Sequence, residues 1–199
     1  MKLIERPSPN HKARRAGVRV DTVLLHHTGG GPKDNSVDWL CNPDSLLSAH
    51  YAVDRDGTVY RLVDERRAAL HAGICRFPWE PEVGYDFNHR SVGIEIANKG
   101  DGREPFTEAQ YRALGELVPA VIERIGLPAW ARRNEPHTAS AFSFMTERIA
   151  LASPRAWVVG HRDVAWDNNL HRYGRKTDPA ENFDWNRIRA AIWKTGEAS

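Results

Sequence analysis

The chain has 199 residues, 41% of them hydrophobic, which suits one domain with a sizeable core. A formal net charge of +2 excludes a strong electrostatic case for nucleic acid or an anionic membrane, and the sequence pI of about 8.6 suits at most a weak attraction to an anionic polymer such as a cell wall. No run of 18 apolar residues is present, which excludes a spanning helix and membrane insertion, and the first residues lack the apolar stretch of a secretory signal, so synthesis and retention in the cytoplasm is the expectation.

Residues 1–18 are polar and basic with two prolines and read as a lead-in to a domain over 19–195. Residues 20–25 form a short apolar, β-favouring run, expected to be a buried strand, which Thr28-Gly29-Gly30-Gly31-Pro32 ends abruptly. That glycine cluster lacks the Lys-Ser/Thr pair of a phosphate loop and is a turn. Two further apolar runs, residues 51–54 and 58–63, flank Asp56-Gly57 and predict a hairpin. Val92-Gly93-Ile94-Glu95-Ile96 predicts another strand. Thr107-Glu108-Ala109-Gln110 is a capping box that opens a helix. Its apolar positions Tyr111, Leu114, Leu117, Val118, Val121, Ile122 and Ile125 keep helical spacing until Gly126 and Pro128.

Residues 129–155 read as a long insertion, in which Phe142, Met145 and Ile149 would share the face of a short helix. Trp157-Val158-Val159-Gly160 predicts a buried strand, and Asp184 is expected to cap a last helix with Trp185, Ile188 and Ile192 on one face. Strands interleaved with helices, with one hairpin, predict a single α/β domain whose mixed central sheet is flanked by helices. Cys41 and Cys75 are too few for a disulfide framework and lack the paired spacing of a structural zinc site, so two free thiols are expected.

Nine histidines are present, and two places concentrate chemistry. His26 and His27 close the first apolar strand, and alternation allows only one of them to face a given site; parity cannot choose, because the run before them is apolar throughout. His161 follows Gly160 at the end of the late strand, and Lys176-Thr177-Asp178 follows on a loop. His and Asp are both zinc ligands, and a catalytic zinc needs three such ligands and one open position. Glu95, mid-strand between Ile94 and Ile96, is costly to bury unless paired or functional, and beside a metal it would be a natural general base. His-Glu-x-x-His, the helix motif of the commonest zinc proteases, is absent.

Taken in order, His26-His27-Thr28, Ser48-Ala49-His50-Tyr51 with Asp56-Gly57-Thr58-Val59, Leu70-His71-Ala72-Gly73, Val92-Gly93-Ile94-Glu95, Gly160-His161-Arg162-Asp163 and Lys176-Thr177-Asp178-Pro179 resemble the zinc-dependent N-acetylmuramoyl-L-alanine amidases of type 2. The resemblance covers about residues 20–190 and includes phage lysozyme-like amidases, bacterial anhydro-muropeptide amidases and peptidoglycan-recognition proteins. It implies Zn²⁺ held by His26, His161 and Asp178, with His27 outside the ligand set. It also implies Glu95 as the acid/base residue and Lys176 as the group that stabilises the transition state. Ala49 stands where the phage and recognition branches carry a tyrosine, and Asp178 resembles the bacterial variant of a ligand that is usually cysteine in those branches. His50 and His71 fall within family motifs and are expected to be groove or structural residues.

The implied reaction cleaves the amide between N-acetylmuramic acid and L-alanine in peptidoglycan, with a peptidoglycan or muropeptide substrate, no nucleic-acid partner and a monomeric enzyme. The 129–155 insertion and a second one over 165–175 favour a phage or prophage endolysin that reaches the wall after membrane permeabilisation. The alternatives are a cytosolic muropeptide-recycling amidase and a non-catalytic peptidoglycan-binding module.

Overall fold

The computed structural model describes residues 1–30, 35–77, 87–126, 148–150, 157–167, 169–170, 172–173 and 175–196. Its elements run β1 (Leu3–Glu5), β2 (His11–Ala13), β3 (Thr22–His27), α1 (Ser36–Cys41), β4 (Tyr51–Val53), β5 (Val59–Arg61), β6 (Arg67–Ala69), α2 (Phe87–Arg90), β7 (Ser91–Ile96), α3 (Glu108–Arg124), β8 (Arg148–Ala150), β9 (Trp157–Gly160), α4 (His161–Val164), β10 (Trp166–Asp167), β11 (Arg172–Tyr173) and α5 (Trp185–Gly196). Seven strands form one mixed sheet in the order β1-β5-β4-β7-β3-β9-β8. Its centre, β4-β7-β3-β9, is parallel throughout, and β5 and β8 join antiparallel.

Parallel central strands are covered on both faces and therefore read as near-continuous apolar runs. Alternation nevertheless divides them. Val23 and Leu25 of β3, Val92, Ile94 and Ile96 of β7, and Val158 of β9 share one core with Leu114, Leu117, Val118 and Ile122 of α3 and Ile188 and Ile192 of α5. Leu24 and Val159 belong to a separate cluster on the opposite face with Phe77 and Phe87. That second face also carries Gly93, His26 and Glu95, because register pairs Leu24 with Gly93 and His26 with Glu95.

The helix over α3 starts as its capping box dictates. Thr107 Oγ accepts from the Gln110 amide at 3.0 Å, and Gln110 Oε1 accepts from the Thr107 amide at 2.9 Å. Gly126, at φ +71°, follows the helix in the left-handed conformation. The hairpin β4–β5 forms around Asp56-Gly57, with residues 54–58 as its connection. Gly57 is required there twice over: φ is +82°, and a Cβ would lie 2.6 Å from the Ala109 carbonyl oxygen of α3.

Two expectations need correcting. Residues 1–18 are more than a lead-in: β1 pairs parallel with β5, β2 pairs antiparallel with β6, and Arg14 donates to the carbonyls of Glu65, His89, Asn88 and Ser91. The polar composition of this segment conceals edge pairing, in which one row of backbone groups supplies the hydrogen bonds whatever the side chains are. Ile149 is not helical but sits in β8, opposite Val158 of β9. Phe142 and Met145 lie outside the described residues. Cys41 and Cys75 are both free, and Cys75 is buried. Among the described residues no helix is long and apolar enough to cross a membrane.

Candidate active site

Ligand sites in open α/β sheets sit outside the carboxyl ends of the parallel strands. Here β3, β7 and β9 end side by side, with His26 beside Glu95 and Leu25 beside Gly160. His161 does not close its strand; it is the first residue of α4, directly after β9. Gly160 makes the next approach possible, since a Cβ there would lie 2.8 Å from Pro179 Cδ. The Arg162 amide donates to the Asp178 carbonyl oxygen at 2.8 Å, which ties the 178–179 segment to the start of α4.

As a result one nitrogen from each of His26 and His161 and one oxygen of Asp178 lie within 4.8 Å of one another. His26 Nδ1 is 2.8 Å and His161 Nδ1 3.0 Å from the same atom, Asp178 Oδ2. The three residues are 2%, 3% and 6% exposed. Burial pushes the His26 imidazole down to about 4, against the opposing pull of Asp178, so the ring is neutral at pH 7. Burial would raise the Asp178 carboxyl, but the two histidine rings against it outweigh that and hold it below the usual carboxylate range.

The donor set fits a metal ion. His161 Nε2 lies 2.9 Å from the Ala72 carbonyl oxygen, which can only accept, so Nε2 donates there and Nδ1 is the atom turned to Asp178. Two imidazole nitrogens converging on one carboxylate oxygen make an electron-rich point that could hold a metal ion. Two imidazoles and one carboxylate, with the rest of the coordination sphere open to a cavity, match the ligand types and openness of a catalytic zinc site.

That cavity has a volume of about 460 Å³, and its lining includes all three residues together with Glu95, Lys176 and Thr177. Glu95 is partly exposed, and Lys176 is exposed on the loop that delivers Asp178. The five residues singled out from the sequence therefore border one space. His27 takes the other orientation at the rim, with its ring over Gly100, where a Cβ would lie 2.2 Å from Nε2. His50 does not line the cavity; it is buried, and its Nδ1 accepts from the Gly93 amide at 2.9 Å. Asp163 Oδ2 accepts from the Gly160 amide at the start of α4, a capping role.

Sequence reasoning placed His71 in the groove without its contact to His26, and it missed Trp39 and Arg175. His71 lines the cavity and places Nδ1 3.0 Å from His26 Nε2. Trp39 of α1 and Arg175 also line the cavity. Only the Leu70-His71-Ala72-Gly73 motif carried a signal for any of them, and it did not specify the contact. His171 lies outside the described residues.

Comparisons with known proteins show the family and the fold. A family model described as N-acetylmuramoyl-L-alanine amidase matches residues 16–181. The 1,6-anhydro-N-acetylmuramyl-L-alanine amidase AmpD of Enterobacter cloacae is 26% identical over 203 residues, which cover 94% of this chain and 88% of that one. The crystal structure of an AmpD derivative superimposes with a TM-score of 0.64 at 23% identity, covering 96% of this chain and 94% of that one, and shares the fold. The amidase AmiD of E. coli, solved with the substrate anhydro-N-acetylmuramic acid-L-Ala-D-γ-Glu-L-Lys, gives a TM-score of 0.60 at 25% identity over 90% of this chain and 60% of that one.

Proposed function

The chain belongs to the N-acetylmuramoyl-L-alanine amidase family, and from that premise we propose that it is a zinc enzyme acting on soluble anhydro-muropeptides, with His26, His161 and Asp178 as the metal ligands. The observation that carries the proposal is the convergence of those three residues beside Glu95 and Lys176 in one cavity at the carboxyl ends of β3 and β7.

A bound zinc supplies Lewis acidity and makes a water molecule acidic near neutral pH. The protein's own groups perform the proton transfers. Glu95 takes a proton from the attacking water at its carboxylate and delivers it to the nitrogen of L-alanine as the amide bond to the muramic acid breaks. Lys176 holds its ammonium near the carbonyl oxygen where negative charge develops, an effect often worth about 3 kcal/mol.

Long loops favour a phage endolysin when the chain is taken alone, but the relatives support the recycling-type reading better. AmpD of Enterobacter cloacae aligns along 94% of this chain, so the extra loops do not set it apart from an enzyme named for 1,6-anhydro substrates. The AmiD structure, whose ligand is an anhydro-muropeptide, extends the same support.

The test is digestion of 1,6-anhydro-muropeptide and of intact sacculi in parallel, with products identified by mass spectrometry. Expected is a free stem peptide with an L-alanine amino terminus from the soluble substrate, little release from sacculi, and loss of turnover with a chelator. Faster release from sacculi would restore the lytic reading. A product that keeps muramic acid joined to L-alanine would refute the amidase.

A further inference from the structure

We infer that the dipeptide His71-Ala72 is the positioning element of the metal centre, setting the ring of His26 through the His71 side chain and the ring of His161 through the Ala72 carbonyl. The inference rests on the metal reading above and extends it to residues outside the proposed ligand set.

The hydrogen-bond directions follow from one fixed end. Ser91 Oγ sits against the Phe87 carbonyl oxygen, an acceptor only, so the single hydroxyl proton of Ser91 points there. Towards His71 Nε2, 3.3 Å away, Ser91 can then only accept, which places the His71 proton on Nε2. The neutral His71 ring turns its Nδ1 lone pair to His26 Nε2 at 3.0 Å, and His26 donates to it. The proton of the neutral His26 ring is therefore on Nε2, and its Nδ1 lone pair faces Asp178 Oδ2. His161 is held through Ala72, whose carbonyl accepts from Nε2 at 2.9 Å and leaves Nδ1 as the atom turned to the site. Both imidazoles thus turn Nδ1 to the same point, the orientation that shared metal ligation needs.

The dipeptide is itself held. Asn88 Oδ1 on α2 accepts from both its amides, His71 at 3.1 Å and Ala72 at 2.9 Å. Gly93 on β7 makes the space, because a Cβ there would lie 2.5 Å from His71 Cγ and Nδ1. A glycine in the interior of a central strand weakens it, and close approach of another group is the reason one is kept.

The test compares His71→Leu, His71→Gln and Ser91→Ala with the wild type. Three quantities are read: zinc affinity by competition with a chromophoric chelator, the visible spectrum of the cobalt(II) form, and kcat against KM on an anhydro-muropeptide. His71→Leu is expected to weaken zinc about 10- to 100-fold, the usual effect of losing such a partner, and to alter the cobalt bands. His71→Gln, whose amide can still accept from His26 and donate to Ser91, should recover most of the affinity. Ser91→Ala should weaken zinc several-fold with little change in volume, and it decides the matter if His71→Leu does not fold. Wild-type zinc affinity and an unchanged cobalt spectrum in a folded His71→Leu, or in Ser91→Ala if that variant must stand in, would overturn the positioning role. Failure of the wild type itself to bind zinc would instead sink the metal reading.

Discussion

The two faces of the central sheet use the same strands for opposite purposes. On one, Val23, Leu25, Val92, Ile94 and Ile96 pack against α3 and α5 in a dry apolar core. On the other, Leu24 gives way to His26, and Gly93 and Glu95 alternate with Val92, Ile94 and Ile96. The first face is sealed by helices, whereas the second stops short of sealing and leaves a cavity at the strand ends. A two-residue period thus lets one rigid element stabilise the fold and aim chemistry at once, and substitutions one position apart on β3 or β7 should have different consequences.

The largest effects are expected on the cavity face. Asp178→Ala should remove stoichiometric zinc, measured by metal analysis after dialysis, and abolish turnover. Glu95→Gln should keep the metal and lower kcat by about 10²- to 10⁴-fold, the usual contribution of a positioned proton-transfer group. If Glu95→Gln instead left kcat intact and only raised KM, Glu95 would be a binding residue and the proton would need another carrier.

Leu117→Ala probes the sealed face. Leu117 is fully buried in the α3–α5 core, and its truncation should cost about 2–5 kcal/mol by urea unfolding. Zinc affinity and kcat per folded molecule should stay near wild type, because no residue of the cavity lining belongs to that core. A large loss of zinc in Leu117→Ala would show that the faces are coupled through the strands.

Acidity should separate the faces again, in the metal-free protein. Burial lowers His26 to about 4 and His50 to about 3, both from an ordinary value of 6.5. Between those values and 6.5 the unfolded chain binds protons that the folded chain refuses, so stability falls as pH drops through that window and is fully present above it. Melting temperature with chelator should therefore decline from about pH 6.5 towards 4. The decline should be smaller in His50→Gln, because one of the refusing rings is gone, while His26, His27 and His71, all lowered by burial, remain. An unchanged slope in that variant would show that His50 does not contribute.

Much of the fold was legible because its signals are local. Asp56-Gly57, the box from Thr107 to Gln110 and the helical spacing up to Ile125 each specify an element within a few residues. The site was legible as residue types but incompletely as geometry. The run before His26 is apolar at every position, so alternation could not show which face it opens on, and only the resemblance separated His26 from His27. His71 and Asn88 were invisible as partners, since their contacts join segments that meet only once β6, α2 and β7 are packed. The pairing of β1 with β5 was hidden for a related reason: parallel edge pairing runs through backbone groups, which leave no imprint on a polar sequence.

The smallest expected effect lies farthest from the chemistry. Thr107 caps α3 by accepting from the Gln110 amide, and its hydroxyl donates to the Arg55 carbonyl at 2.7 Å, fastening the helix start to the β4–β5 hairpin. Thr107→Ala removes both bonds and should cost about 1 kcal/mol, within the range for lost caps. The helix it frays covers the sealed face, so zinc affinity, kcat and KM should be unchanged below the melting transition. Thermal melting gives the first quantity and metal competition the second. A Thr107→Ala variant that lost affinity for zinc without losing stability would mean that the helical layer sets the metal site directly, and the division of labour between the two faces would have to be abandoned.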